Sequence, residues 1–157
     1  MSYSKTILKR IHPIAGGVAI ILIALFFTST IIVEIIGDLE LIATLKSFIL
    51  YGVCFLIPAS IAAGVSGFKM LKRPPNAGPL AKKAMRMKII GGNGLLILLP
   101  CAIALDYLAS QGDFGTVFIT IQAIELIAGA VNLTLMGLNM RDGLSLTKAR
   151  RNKQATG

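Results

Sequence analysis

Apolar and polar positions alternate here in long blocks. Four apolar runs, at 13–36, 45–68, 88–108 and 115–140, are separated by short polar stretches. As a helix, each run is long enough to cross about 30 Å of hydrocarbon. The pattern predicts an all-α membrane protein, an antiparallel bundle of four transmembrane helices in one domain covering 1–157. The stretch 69–87 is then a basic connection and 141–157 a basic tail, expected to be loose. Pro13 suits the first turn of the first helix. Pro58 and Pro100 fall inside the second and third runs, where each removes a backbone donor and is expected to bend its helix. The string KRPPNAGP at 72–79 excludes helix by its two prolines and Gly-Pro step. Pro79 then opens an amphipathic basic segment that leads straight into the third run. Gln111-Gly112-Asp113 reads as a tight turn, and Gly143 as a C-terminal cap of the fourth helix.

Polar positions inside the runs carry more information than the runs themselves. On the fourth helix Phe118, Gln122, Glu125, Gly129, Asn132, Met136 and Asn139 fall on one line, three or four residues apart. One carboxyl and three amides therefore share a seam that is costly against lipid and should turn inward. Glu125 lies about 15 Å into its helix. As a buried acid it is expected to be neutral and hydrogen-bonded to Gln122, Tyr51 or a backbone carbonyl. On the first helix Gly16, Ala19, Ile23, Thr30 and Glu34 share a face suited to close packing, and 59–67 on the second is rich in small residues. Gly91-Gly92-Asn93-Gly94 lacks the spacing and lysine of a phosphate loop and is expected to serve close helix contact.

Charge sets the orientation. The chain is 55% hydrophobic with a formal charge of +9 and a mean hydropathy of +0.78. All basic residues except Lys46 fall before the first run, between the second and third or at the very start of the third (Lys88), or after the fourth. The positive-inside rule then places both termini in the cytoplasm, N-in and C-in, with the protein multi-pass in a bacterial cytoplasmic (inner) membrane. The apolar run near the N-terminus exceeds a signal-peptide core and lacks a small-x-small cleavage site, so it is expected to be retained as a span. Lys82, Lys83, Arg86 and Lys88 are expected to contact anionic lipid headgroups. Orientation alone accounts for the basic rim, so nucleic acid is not an expected partner. Lys46 stands at the opposite interface, where a weak pair with Glu34 across the 37–44 turn is expected.

Candidate chemistry is sparse. There is no HExxH, GxSxG or CxxC, and the two cysteines, Cys54 and Cys101, read as small hydrophobes inside spans. His12 is the sole histidine. With Met140 it forms a candidate haem b or thioether metal pair, near Met70, Met85, Met87 and Asn139.

The strings IHPIAGG near the start and NLTLMGLNMRDGL near the end resemble a family of small uncharacterised bacterial four-span membrane proteins. The resemblance extends over most of the chain and implies no activity, cofactor or catalytic residue. The expected function is non-enzymatic: an accessory or scaffold subunit that associates with other membrane subunits or with itself. Two alternatives stand beside it. One is a haem- or metal-binding redox protein using His12. The other is a proton-coupled carrier or small-ligand binder centred on Glu125 with Gln122, Asn132 and Asn139.

Overall fold

A computed structural model describes residues 2–70 and 78–155, and among them it holds no strand. Helix α1 covers Ser2–Ile36 and α2 covers Leu39–Met70. Helix α3 (Pro79–Asn93) runs through a π-helical turn (Gly94–Leu98) into α4 (Leu99–Ser110), and α5 covers Thr116–Ala155. Four helices have the length and apolarity of membrane spans: Ile7–Ile36, Leu39–Met70, Leu80–Ser110 and Thr116–Ser145. At most 28% of any span's most apolar window is buried within the protein. The surface left over is what lipid would cover.

Local chemistry explains the breaks. Gly37 and Gly112 adopt φ of 73° and 69°, a left-handed conformation that glycine enters without steric cost. At Gly112 the amide bonds the Ala109 carbonyl and the Asp113 amide bonds that of Leu108, a Schellman ending. Asp38 caps α2, its Oδ1 accepting the Glu40 and Leu41 amides at 3.0 and 3.1 Å. Both turns are therefore short, as the sequence predicts. Pro79 starts α3 as expected, after Gly78 at φ 86°.

Proline inside the helices is absorbed in different ways. Pro100 denies the Leu96 carbonyl its usual partner. The backbone there widens into the π turn, in which the Leu99 amide reaches back to Gly94 O. Helix α2 runs through Pro58 without a break in assignment.

Three local expectations are corrected. Residues 2–12 are already helical, so Pro13 lies inside α1 rather than in its first turn. The tail is helical as far as Ala155, and Gly143 sits within α5 instead of capping it. No proline follows Gly143 to stop the helix, and a lone glycine costs only about 1 kcal/mol. The expected irregular stretch 72–79 lies, up to residue 77, outside the described residues.

The long helices close into a ring. Helix α1 packs on α2 and α5, α2 also packs on α3 and α4, and α5 packs on α3, the π turn and α4. Close approach rests on two glycines. The Phe26 ring of α1 occupies the space a Cβ at Gly52 would need, and Phe27 comes within 3.1 Å of the corresponding point at Gly129. Ala19, Ile23 and Thr30 of the predicted α1 face are buried, whereas Gly16 has no neighbour within 4 Å of where its Cβ would stand.

Candidate functional site

The seam on α5 faces inward along its whole length. Phe118, Gln122, Gly129, Asn132 and Asn139 are buried, and Glu125 and Met136 are half-buried. Three levels can be followed along it.

At the end carrying the Gly37 and Gly112 turns, an apolar plug closes the ring. It consists of Val33, Ile42, Leu105, Ala109 and Phe118, with Phe114 edge-on to Phe118 at a centroid distance of 5.0 Å.

One turn deeper lies an ion pair. Lys46 follows Ile42 by one turn of α2, and Gln122 follows Phe118 by one turn of α5. Lys46 Nζ donates to Glu125 Oε2 at 2.8 Å, and Gln122 Nε2 donates to the same oxygen at 3.2 Å. The Lys46 side chain is only 1% exposed and that of Glu125 14%. Glu34 feels both charges. Its Oε1 and Gln122 Oε1 are buried without a hydrogen-bond partner among the described residues. Ser47 Oγ donates to Asp106 Oδ1 at 2.6 Å and ties α2 to α4 at a neighbouring position.

This level corrects two expectations. Lys46 pairs with Glu125 across the ring, not with Glu34 across the turn, and it is buried rather than wet. The reason is geometric: α2 begins at Leu39, so position 46 lies two turns inside the helix, and its long side chain crosses the bundle interior to α5, against which α2 itself does not pack. Glu125 is accordingly paired with Lys46 rather than with Tyr51 or a backbone carbonyl. Gln122 is its partner as predicted, but Tyr51 is 71% exposed and takes no part. Lys46 was the one basic residue off the basic side of the chain. That outlier was the available signal, and periodicity could not name its partner.

Below the Phe26 and Phe27 contacts, Asn93 Nδ2 donates to Asn132 Oδ1 and to the Ala128 carbonyl, each at 2.8 Å. Asn132 therefore joins helices as an interhelical partner. Asn93 was passed over in sequence because it sits in a glycine run. The glycines do less than expected: only Gly94 approaches a neighbour, its Cβ position 3.8 Å from Asn132 Nδ2, and Gly91 and Gly92 meet open space. Asn139 is buried, with its Oδ1 unpartnered among the described residues.

Farther along, Arg86 Nη1 bonds Asp142 Oδ2 at 2.7 Å. Lys83 Nζ lies 3.2 Å from where a Cβ at Gly143 would stand. Of the four expected headgroup cations, Lys82 and Lys88 are exposed, whereas Arg86 and Lys83 turn toward α5. His12 bonds α2 through its Nδ1, 2.9 Å from the Ala63 carbonyl. It stands with Met87 against Gly67, while Met140 is 57% exposed. Cys101 is buried, Cys54 is exposed, and both are free. No group of three or more His, Cys, Asp or Glu that would hold a metal occurs among the described residues.

Chemically, the ion-pair level is the most unusual. Lys46 balances the Glu125 carboxyl, and Glu34 keeps one buried oxygen, Oε1, without a hydrogen-bond partner among the described residues. A carboxylate in excess inside a low-dielectric bundle calls for a proton or a cationic partner. Comparison with known proteins adds nothing to this geometry: no family model, curated protein or solved structure matches the chain.

Proposed function

We propose that the protein is a proton-coupled membrane carrier or small-ligand binder whose working site is the Lys46–Glu125 pair with Glu34. The observation that carries this reading is a buried ion pair with unmet acceptors beside the acids: Lys46 Nζ bonds Glu125 Oε2, and Glu34 Oε1 and Gln122 Oε1 are buried without a hydrogen-bond partner among the described residues. Ionisable groups at such depth are expensive, and a bundle held together by packing alone has no need of them. The exchangeable species is the proton that neutralises the Glu34 carboxyl, and Lys46 is the cation that pairs with Glu125 beside it.

The bundle is antiparallel, with both termini cytoplasmic in a bacterial inner membrane. Cross-helix pairs support the antiparallel order, since partner numbers fall on one helix as they rise on the other. His12 meets Ala63 while Phe26 meets Gly52, and Arg86 meets Asp142 while Asn93 meets Asn132. The basic ends support the orientation. The site then lies in the outer half of the membrane, beneath the apolar plug.

Infrared difference spectra of the reconstituted protein between acid and alkaline pH test the site. A protonated-carboxyl band that titrates and disappears in Glu34→Gln, together with faster decay of an imposed pH gradient in wild-type than in Glu34→Gln or Glu125→Gln proteoliposomes, is expected. Identical spectra and decay in all three proteins would leave the cluster purely structural.

A second reading, an accessory subunit that docks on partners or on itself, draws on a separate observation. Gly16, Gly17, Gly64, Gly91, Gly92 and Gly137 all have open space where a Cβ would stand, so small-residue surface remains for another helix. Purification in mild detergent distinguishes it: co-purifying subunits or a stable oligomer favour it, and a lone monomer removes it.

A further inference from the structure

The histidine at the end away from the plug has a fixed tautomer. His12 Nδ1 lies 2.9 Å from the Ala63 carbonyl and 3.4 Å from Ser66 Oγ. A carbonyl oxygen only accepts, so Nδ1 must carry the hydrogen. The Ser66 hydroxyl hydrogen is directed at the Ala62 and Ala63 carbonyls, which leaves its oxygen free only to accept. In the neutral ring the lone pair therefore resides on Nε2, which makes no hydrogen bond among the described residues. A backbone carbonyl holding Nδ1–H is the arrangement that orients an imidazole for metal binding through its other nitrogen.

A soft donor stands beside it. A Cβ at Gly67 would lie 2.5 Å from Met87 Cε and 2.9 Å from His12 Cε1. Two side chains from α1 and α3 thus share the space above one glycine of α2. Gly67 is buried, and its missing side chain leaves room for the Met87 methyl and for the Cε1–Nδ1 edge of the imidazole, with Nδ1 at 3.2 Å; Sδ and Nε2 are each one bond away from Cε and Cε1. Among the described residues, no carboxylate or thiolate hydrogen-bonds the histidine. The donor set is one neutral nitrogen and one neutral sulfur, which selects a soft monovalent d10 ion over zinc, calcium or magnesium.

We infer that His12 Nε2 and Met87 Sδ form a binding site for a soft monovalent cation of the copper(I) and silver(I) class, framed by Gly67. This site is independent of the carboxylate cluster. It also replaces Met140 by Met87 as the sulfur partner of His12.

Silver(I) is the probe, since it is stable to air and does not change oxidation state. Full-length protein with 13C-methyl methionine, in detergent micelles and chloride-free buffer, is titrated with silver nitrate. The Met87 methyl signal is expected to shift and saturate near one equivalent, before the exposed Met70, Met85 and Met140. His12→Ala and Met87→Leu should each weaken binding at least tenfold. Gly67→Ala keeps both donors and favours helix, yet fills the shared space, so it should weaken binding similarly. Glu34→Gln should leave the titration unchanged. If Met87 responds no earlier than the exposed methionines, or if His12→Ala and Gly67→Ala both titrate like wild type, the inference fails.

Discussion

Replacing Lys46 by methionine isolates the central interaction. At 2.8 Å and an effective dielectric of about 20, the attraction is about 6 kcal/mol. Removing the two ions from water costs several kcal/mol each, so the intact pair contributes little net stability. Losing one partner is a different matter. Lys46 is only 1% exposed, so no water replaces it, and Glu125 is left charged inside the bundle. Lys46→Met should therefore cost about 3–5 kcal/mol at neutral pH. The double variant Lys46→Met/Glu125→Gln removes both charges and should recover most of that loss. Acid should also relieve the single variant. A protonated carboxyl leaves no charge stranded in the bundle, so the deficit should shrink in acid. Equilibrium unfolding in mixed micelles of mild detergent and dodecyl sulfate, followed by circular dichroism, measures wild type, Lys46→Met, Glu125→Gln and the double variant. A single-variant loss under about 1 kcal/mol, or a double variant at the sum of the two singles, would refute the reasoning.

Other positions make smaller and distinct predictions. Asn132→Leu, read by the same unfolding titration, should cost about 1–2 kcal/mol, and Asn93→Leu should cost less in that background than in wild type, because their mutual hydrogen bond is already gone and only the Asn93 bond to the Ala128 carbonyl remains to be lost. Gly52→Val drives a side chain into the Phe26 ring and should cost about 1–3 kcal/mol. Gly64→Ala, where nothing lies within 4 Å, should be neutral or stabilising by up to about 1 kcal/mol in a helix interior; a large loss would mean that another helix occupies that face. Arg86→Ala removes a part-exposed pair with Asp142 and should cost about 1 kcal/mol or less, a loss that shrinks in high salt. C-terminal fusions to a reporter active only in the cytoplasm should fluoresce, and fusions at Gly112 should not.

Much of this protein follows from its residues taken one helix at a time. The four apolar runs, the tight turns at Gly37 and Gly112, the helix start at Pro79 and the inward seam from Phe118 to Asn139 all depend on spacing along the chain. Helical periodicity assigns residues to a face, and the cost of polar groups in lipid says which face turns in. Neither principle says what the face will meet. Lys46 and Glu125 are 79 residues apart, and only the closure of the ring puts them in contact. The same closure pairs Asn93 with Asn132, turns Arg86 toward Asp142, and sets Met87 rather than Met140 beside His12. Helix ends depended on tertiary context too. A lone glycine at position 143 could not stop a helix, and the α5 helix continues past it while Lys83 packs alongside. Local sequence therefore decided which segments are helices and which sides they hide. Partner choice was left to the packing, because a buried charge is stable only beside the group that the folded ring delivers to it.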